Sequence, residues 1–361
     1  MRIIGLANVV VISIAIVGLS LLPGEPRPHA EPRETATVGG GDEGARPPAT
    51  PTPVGLPPGG VSTPEFARQV HANEAGLVPV LMYHRILAKR LASLDRTPAQ
   101  LRKELEKLAK RGYVPITARE FVRGEIHVPA GKFPVVLTFD DGHPSHFGLD
   151  AHGNPRPDTA VGVIHDVASR YPGFRPVATF WVNKEPFGLR DRDSQAAAVR
   201  WLTEHGHEVA NHTWTHPNLR VLKRKKVREQ IVRIERLLKK LGAPPSETMA
   251  LPYGSMPRGK KSARSGSWDG TRYDFAGVFL AGAEPSLSPY AKKFDRGAIQ
   301  RIQSNGKKGE CRKWCSQYWL DWLDRHPGER YVSDGDPDRI SIPEKRRGNI
   351  VAKRGLQVIA Y

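Results

Sequence analysis

A run of apolar residues at 134–139, broken only by Thr138, stops at two adjacent carboxylates, Asp140 and Asp141, followed by Gly142. So short an apolar run is consistent with a buried strand. The carboxyl end of such a strand is where α/β folds place their functional sites. Adjacent carboxylates there repel each other unless a cation or a shared proton relieves them, so the pair itself calls for a partner. Similar runs recur on both sides. Residues 78–83 read as a strand ending at His84, 177–182 as a strand, and 208–210 as a brief strand. Helical signals lie between them. Thr97-Pro98-Ala99-Gln100 and Thr117-Ala118-Arg119-Glu120 are capping boxes, and Leu101, Leu105 and Leu108 mark one buried helical face that Gly112 ends. Residues 158–171, 194–205 and 220–240 complete the helical set. Strands alternating with helices indicate parallel βαβ units, and a barrel and an open sheet both fit that alternation. After Gly254 the pattern fades into glycine, proline and basic residues.

The first quarter of the chain has a different character. Residues 3–22 are almost wholly apolar, with Arg2 ahead of them. Such a stretch is a signal anchor by its length of about 20 residues, or a cleaved signal peptide, and both place the remainder outside the cytoplasm, tethered or secreted. Residues 23–76 are rich in Pro, Gly, Thr and Glu, a composition that buries too little apolar surface to order itself, and they read as a disordered linker. The folded domain is expected over 77–361, as a monomer. The formal charge of +18 suggests nucleic acid first, but an exported chain rarely meets it. In the densest basic run, Val227, Ile231, Ile234, Leu238 and Leu241 recur at helical spacing, so its cations are a solvated helix face. An anionic cell-wall or membrane surface is the other partner such charge suits. The only cysteines, Cys311 and Cys315, fit a local disulfide in an oxidising compartment.

About 70 residues beyond the acidic pair stands Asn211-His212-Thr213-Trp214-Thr215-His216. On a helical turn, i and i+4 share a face, the geometry of zinc hydrolases. In isolation the spacing is weak: with 13 histidines in the chain, chance supplies about half of one such pair. Next to Asp140 and Asp141 it gains weight. Two imidazoles and one carboxylate make a metal set with one carboxylate left over, and a metal site with a spare base is catalytic rather than structural. His143, His146 and His152 lie in a Gly/Pro-rich context and read as loop histidines.

Together, 138–142, 212–216 and Pro252-Tyr253-Gly254, in that order, resemble the polysaccharide deacetylase superfamily (carbohydrate esterase family four) over roughly 77–285. The resemblance implies a distorted (β/α) barrel and a Zn²⁺ or Co²⁺ type of metal. It also implies hydrolysis of acetyl groups on amino-sugar polymers, or of O-acetyl esters. Carried over by position, Asp141, His212 and His216 would bind the metal, and Asp140 would be the base that takes a proton from metal-bound water. Tyr253 would offer its backbone N–H to the oxyanion, and Thr213 and Thr215 would orient neighbouring ligands. Two departures stand out. Ala250 occupies the place of the family's usual arginine, and no late Leu-x-His follows Tyr253. The 80–84 segment resembles the poly-N-acetylglucosamine deacetylase branch, where the acid histidine comes early, which makes His84 the candidate acid. Arg301, in Ile299-Gln300-Arg301-Ile302, is a candidate for the missing arginine. A chain that had lost both partners would instead be a non-catalytic carbohydrate-binding protein. Residues from about 286 onward form an atypical extension.

Overall fold

A computed structural model describes residues 60–306, 313–351 and 355–361. Its strands are β1 (Val80–Tyr83), β2 (Tyr113–Ile116), β3 (Phe133–Phe139), β4 (Thr179–Val182), β5 (Glu208–Asn211), β6 (Thr248–Ala250), β7 (Ser265–Trp268), β8 (Thr271–Asp274), β9 (Gly277–Phe279), β10 (Ile302–Gln303), β11 (Arg339–Ile342) and β12 (Gln357–Ala360). Helices are α1 (Pro64–Gln69), α2 (Pro98–Lys110), α3 (Ala118–Arg123), α4 (Ala160–Arg170), α5 (Arg192–Glu204), α6 (Arg224–Lys240), α7 (Lys261–Arg264) and α8 (Ser316–Arg325). Both expected capping boxes form, at Thr97/Gln100 and Thr117/Glu120, so α2 and α3 start where the local sequence satisfies their first free N–H groups.

The large sheet runs β10-β1-β3-β4-β5-β6-β9 with β2 paired to the first half of β3, and every pairing in it is parallel. Its two edges meet through one segment. Ile299 pairs in parallel with Phe279 after β9, and three residues later Ile302 pairs with Leu81 of β1. The sheet thereby curls into a distorted (β/α) barrel, which settles the choice between barrel and open sheet. The pleat sorts its residues. Leu81, Tyr83, Leu137, Phe139 and Phe180 face the helices and join one core, whereas Val80, Val136, Trp181, Ala210, Ala250 and Phe279 fill the interior. Helix α6 buries Val227, Ile231, Ile234 and Leu238 and exposes Lys225, Lys226, Lys239 and Lys240, the solvated basic face that its periodicity implies. Fully burying each such apolar side chain contributes roughly 1.5–3 kcal/mol, so a charge at Ile231 would dislodge the helix.

The folded region begins before residue 77. Phe66, Ala67, Val70 and Ala72 pack with Ile359 of β12, and the buried Glu74 accepts from the Tyr331 hydroxyl at 3.0 Å and the Ser341 N–H at 2.8 Å. The end of the expected linker is thus ordered by contacts with residues more than 250 positions away, which no local composition reveals. The apolar segment 3–22 and most of the linker lie outside the described residues, and among the described residues no helix is long and apolar enough to cross a membrane. Cys315 is disulfide-bonded; Cys311 lies outside the described residues.

Candidate active site

The interior positions continue past the strand ends, and that continuation builds the site. Strand alternation that turns Val136 and Thr138 inward turns Asp140 inward as well; Val80 and Met82 lead likewise to His84, and Ala210 to His212. Asp140 N–H donates to the Tyr83 carbonyl at 3.0 Å, so β1 and β3 are still in register where their functional side chains emerge.

Asp141, His212 and His216 converge, with ligand atoms all within 4.8 Å of one another. Asp141 Oδ1 stands 3.4 Å from Nε2 of both imidazoles. Donors bound at 2.0–2.2 Å around a tetrahedral centre stand about 3.4 Å apart, so the spacing fits a zinc-sized ion. Among the described residues the buried Nε2 of His212 has no hydrogen-bond partner, while its Nδ1 lies 2.9 Å from the Ala250 carbonyl. That carbonyl accepts only from an Nδ1–H, which leaves the Nε2 lone pair free for a metal.

The chain reaches this geometry through unusual backbone. Asp141 (φ 76°), Thr213 (φ 69°), His216 (φ 51°) and Tyr253 (φ 57°) are all left-handed, a conformation that costs a non-glycine residue on the order of 1–3 kcal/mol. Gly142 follows Asp141 at φ 58°, where a Cβ would lie 3.0 Å from Val182 Cγ1. The histidines therefore do not share a helical turn as their spacing suggests; residues 212–216 form a loop. Asn183 Nδ2 donates to the His212 and Thr213 carbonyls at 2.8 Å each, and Asn211 Oδ1 accepts from the Thr213 N–H at 2.9 Å. Thr213 and Thr215 do not orient the ligands as expected. The Thr213 hydroxyl is buried without a partner, and that of Thr215 reaches Gln230 at 3.3 Å. The Ala250 carbonyl does the orienting.

Beside the triad, Asp140 is gripped by Arg301. Nη1 and Nη2 donate to Oδ1 and Oδ2 at 2.7 and 2.8 Å, in a pair that is almost wholly buried. Arg301 is held in turn by the Leu280 carbonyl at 2.6 Å, by Thr138 Oγ1 at 3.2 Å and by the Trp181 ring, 5.0 Å below the guanidinium. Small Ala250 and bulky Trp181 line the same interior, and the arginine arrives from the segment that closes the barrel. His84 Nε2 stands 3.9 Å from Asp140 Oδ2, and its Nδ1 is buried without a partner. Tyr253 lays its exposed ring edge-on against His216, with centroids 4.6 Å apart.

Burial, the largest influence on Asp140, raises its pKa, but Arg301 and His212 together outweigh it and hold the carboxyl down at about 2. Asp141 also lies well below the carboxylate range, because His212, His84 and His216 outweigh its burial. Burial dominates at His84 and His216 and lowers both; at His212 the two carboxylates overcome burial and raise it. His146 is buried against the His84 carbonyl at 2.6 Å, and His143 pairs with Ser145; neither joins the metal set, and nor does exposed His152.

Residues 127–265 match the family model for polysaccharide deacetylase. The chain is 32% identical over 118 residues to the chitooligosaccharide deacetylase of Rhizobium leguminosarum bv. phaseoli, an overlap of 33% of this chain and 43% of that protein. To the peptidoglycan-N-acetylglucosamine deacetylase of Bacillus cereus it is 27% identical over 128 residues, or 36% of this chain and 39% of that one. Among solved structures it is similar to IcaB from Ammonifex degensii, at 20% identity over 66% of this chain and 94% of the other, with a TM-score of 0.45. The match to the polysaccharide deacetylase model is thus confined to residues 127–265. The chain spans less than half the length of these two curated relatives, and both His84 and Arg301 lie outside the span matched by the family model.

Proposed function

We propose that the protein is a metal-dependent hydrolase that removes acetyl groups from an N-acetylated polysaccharide outside the cytoplasm. One observation carries this reading: a spare, buried carboxylate, Asp140, is clamped ionised by Arg301 within 3.9 Å of His84, next to a three-donor metal set. Asp141, His212 and His216 hold the ion, with Zn²⁺ or Co²⁺ suiting two imidazoles and a carboxylate. When bound, it polarises the acetyl carbonyl and acidifies the attacking water, which a carboxylate with a pKa of about 2 needs, being a weak base by itself.

The protein groups divide the rest. Arg301 occupies both Asp140 oxygens from one side and so orients the carboxylate that accepts the water proton. His84 hands a proton to the departing amine, whose loss as a neutral molecule the C–N cleavage requires. Tyr253 contributes its backbone N–H to the developing oxyanion. A non-catalytic sugar-binding role is the weaker reading, because its ground was a missing arginine and a missing histidine. Arg301 paired with Asp140, and His84 3.9 Å from it, support the catalytic reading instead.

Incubation of the full chain with Zn²⁺ or Co²⁺ and acetylated chitooligosaccharides should release acetate. Asp140→Asn should abolish release, a loss of about 10²–10⁴-fold, while metal content stays at one ion per chain. Full activity in that variant would remove Asp140 from the base role. Silence of the loaded wild type on both amide and ester substrates, with glycan binding retained, would favour the sugar-binding role. Preference for an acetylated xylan over the amide would make the enzyme an O-acetyl esterase.

A further inference from the structure

Tyr83 and His84 are successive residues at the end of β1, so their side chains leave on opposite sides of the barrel wall. His84 faces the metal set. Tyr83 points outward and donates to Glu104 at 3.0 Å. Behind it a cavity of about 340 Å³ opens between the loop after β1, helix α2 and the residues after β10, lined by Arg90, Arg96, Lys103, Glu104, Lys107 and Asn305 among others. Its volume falls within the range of small-molecule sites, about 300–1,000 Å³.

Among the described residues four cations and one acid line it, and the acid is already committed. Glu104 accepts from the hydroxyls of Tyr83, Ser304 and Ser316. Arg96 is 92% buried, since only 8% of it is exposed. Its contacts are loose: Nη1 to Asn305 Oδ1 at 3.4 Å and Nη2 to Glu104 at 4.0 Å, with Nε lacking a partner among the described residues. A guanidinium offers five N–H donors, so a buried one left this unsatisfied carries an unmet desolvation cost. The other cations do not lack room for an anion. Among the described residues Arg90 donates to the Ser93 carbonyl and its Nε is also unpartnered; Lys107 donates to the neutral Gln317. Lys103 is exposed and has no ion-pair partner among the described residues.

We propose that this cavity is a second binding site, which takes an oxyanion, a phosphate or a carboxylate, carried on a ligand of sugar-like size. Arg96 provides the buried anchor, and Lys103 and Arg90 the charge at the mouth. The site is formed by residues outside the span matched by the family model, and it does not depend on the deacetylase reading.

The test is calorimetric titration of the metal-loaded full chain with inorganic phosphate and, separately, with glucuronate, against sodium chloride at equal ionic strength. At least one probe should bind saturably. Lys103→Glu, an exposed change that leaves the fold intact by circular dichroism, should weaken that binding about tenfold, the value of one charge-assisted hydrogen bond. Arg96→Gln should abolish it, and if that variant fails to fold, Lys103→Glu still decides. Phosphate without glucuronate assigns the site to phosphates, and the reverse assigns it to uronic-type carboxylates. Failure of both probes to saturate the wild type, or binding unchanged in Lys103→Glu, overturns the proposal. Acetate release is not read at any point, so an inactive enzyme would leave this outcome unaffected.

Discussion

The middle of the chain and its C-terminal region contribute to one site by different routes. Residues 138–142, 212–216 and 252–254 each bring their groups within a few positions of a strand end, so their placement follows from the strand that precedes them. The C-terminal region contributes a single side chain to the same cluster, Arg301, delivered by the segment that joins the two edges of the sheet. The three candidate metal donors thus come from two strand-end motifs, whereas the partner of Asp140 is wholly long-range. That difference sets the candidate donors apart from Asp140: Arg301 is not one of the donors, but the buried Asp140 charge has no other cationic partner at hydrogen-bond distance among the described residues.

The sharpest way to break the comparison is Arg301→Ala. Removing one member of a buried pair costs about 3–5 kcal/mol, which thermal or denaturant unfolding will register. With burial then less opposed, the Asp140 pKa rises and the acid limb of the pH–rate profile moves to higher pH. Arg301→Lys restores the charge without the two-pronged grip and should fall between. An alanine variant with unaltered stability and pH profile would show that the clamp is dispensable. Next in size is His84→Gln, expected to lower kcat by about 10²-fold with metal affinity unchanged; a proportional loss of metal would instead make His84 a ligand.

The smallest expected effect contrasts the two regions by pH. In the barrel, burial, reinforced by His165 and His205, lowers His207 to about 3 from 6.5. Its folded value is depressed, so its contribution to stability is present above about pH 6.5 and is lost as pH falls toward 3. In the terminal layer, burial and Asp334 raise Glu74 well above 4.5. Its folded value is raised, so that contribution is full below about 4.5 and is lost as pH rises through the folded value. As pH falls from 7 to 5, protection factors, taken relative to the intrinsic exchange rate at each pH, should therefore rise in β11 and fall in β4 and β5. His207→Gln and Glu74→Gln should each flatten the response of their own region, and parallel responses in both would refute the contrast.

Several parts of this molecule are legible in the sequence because their causes are local. Thr97 with Gln100, and Thr117 with Glu120, satisfy helix N-termini within four residues. The apolar run before Asp140 makes a buried strand wherever it is placed. His212 and His216 are harder to read, since their spacing suggests a helix while the structure holds them in a left-handed loop pinned by Asn183 and Asn211. Residues 62–76 carry a linker-like composition up to their edge, and they fold because β11, β12 and Tyr331 cover them. Arg301 sits in Ile299-Gln300-Arg301-Ile302, a stretch with no local signal that singles it out.

The sequence by itself determined the alternating parallel elements, the acidic pair at a strand end, and the three motifs that contribute residues to the candidate site. These rest on periodicity, capping and turn chemistry, which act over a few residues. Tertiary structure alone decided that the sheet closes and that Arg301 grips Asp140 across some 160 positions of chain. It also decided that His84 looks inward, and that Arg96 is buried with its Nε unpartnered among the described residues. Each is an outcome of which strand edges meet and which faces they bury, and no short-range preference encodes either.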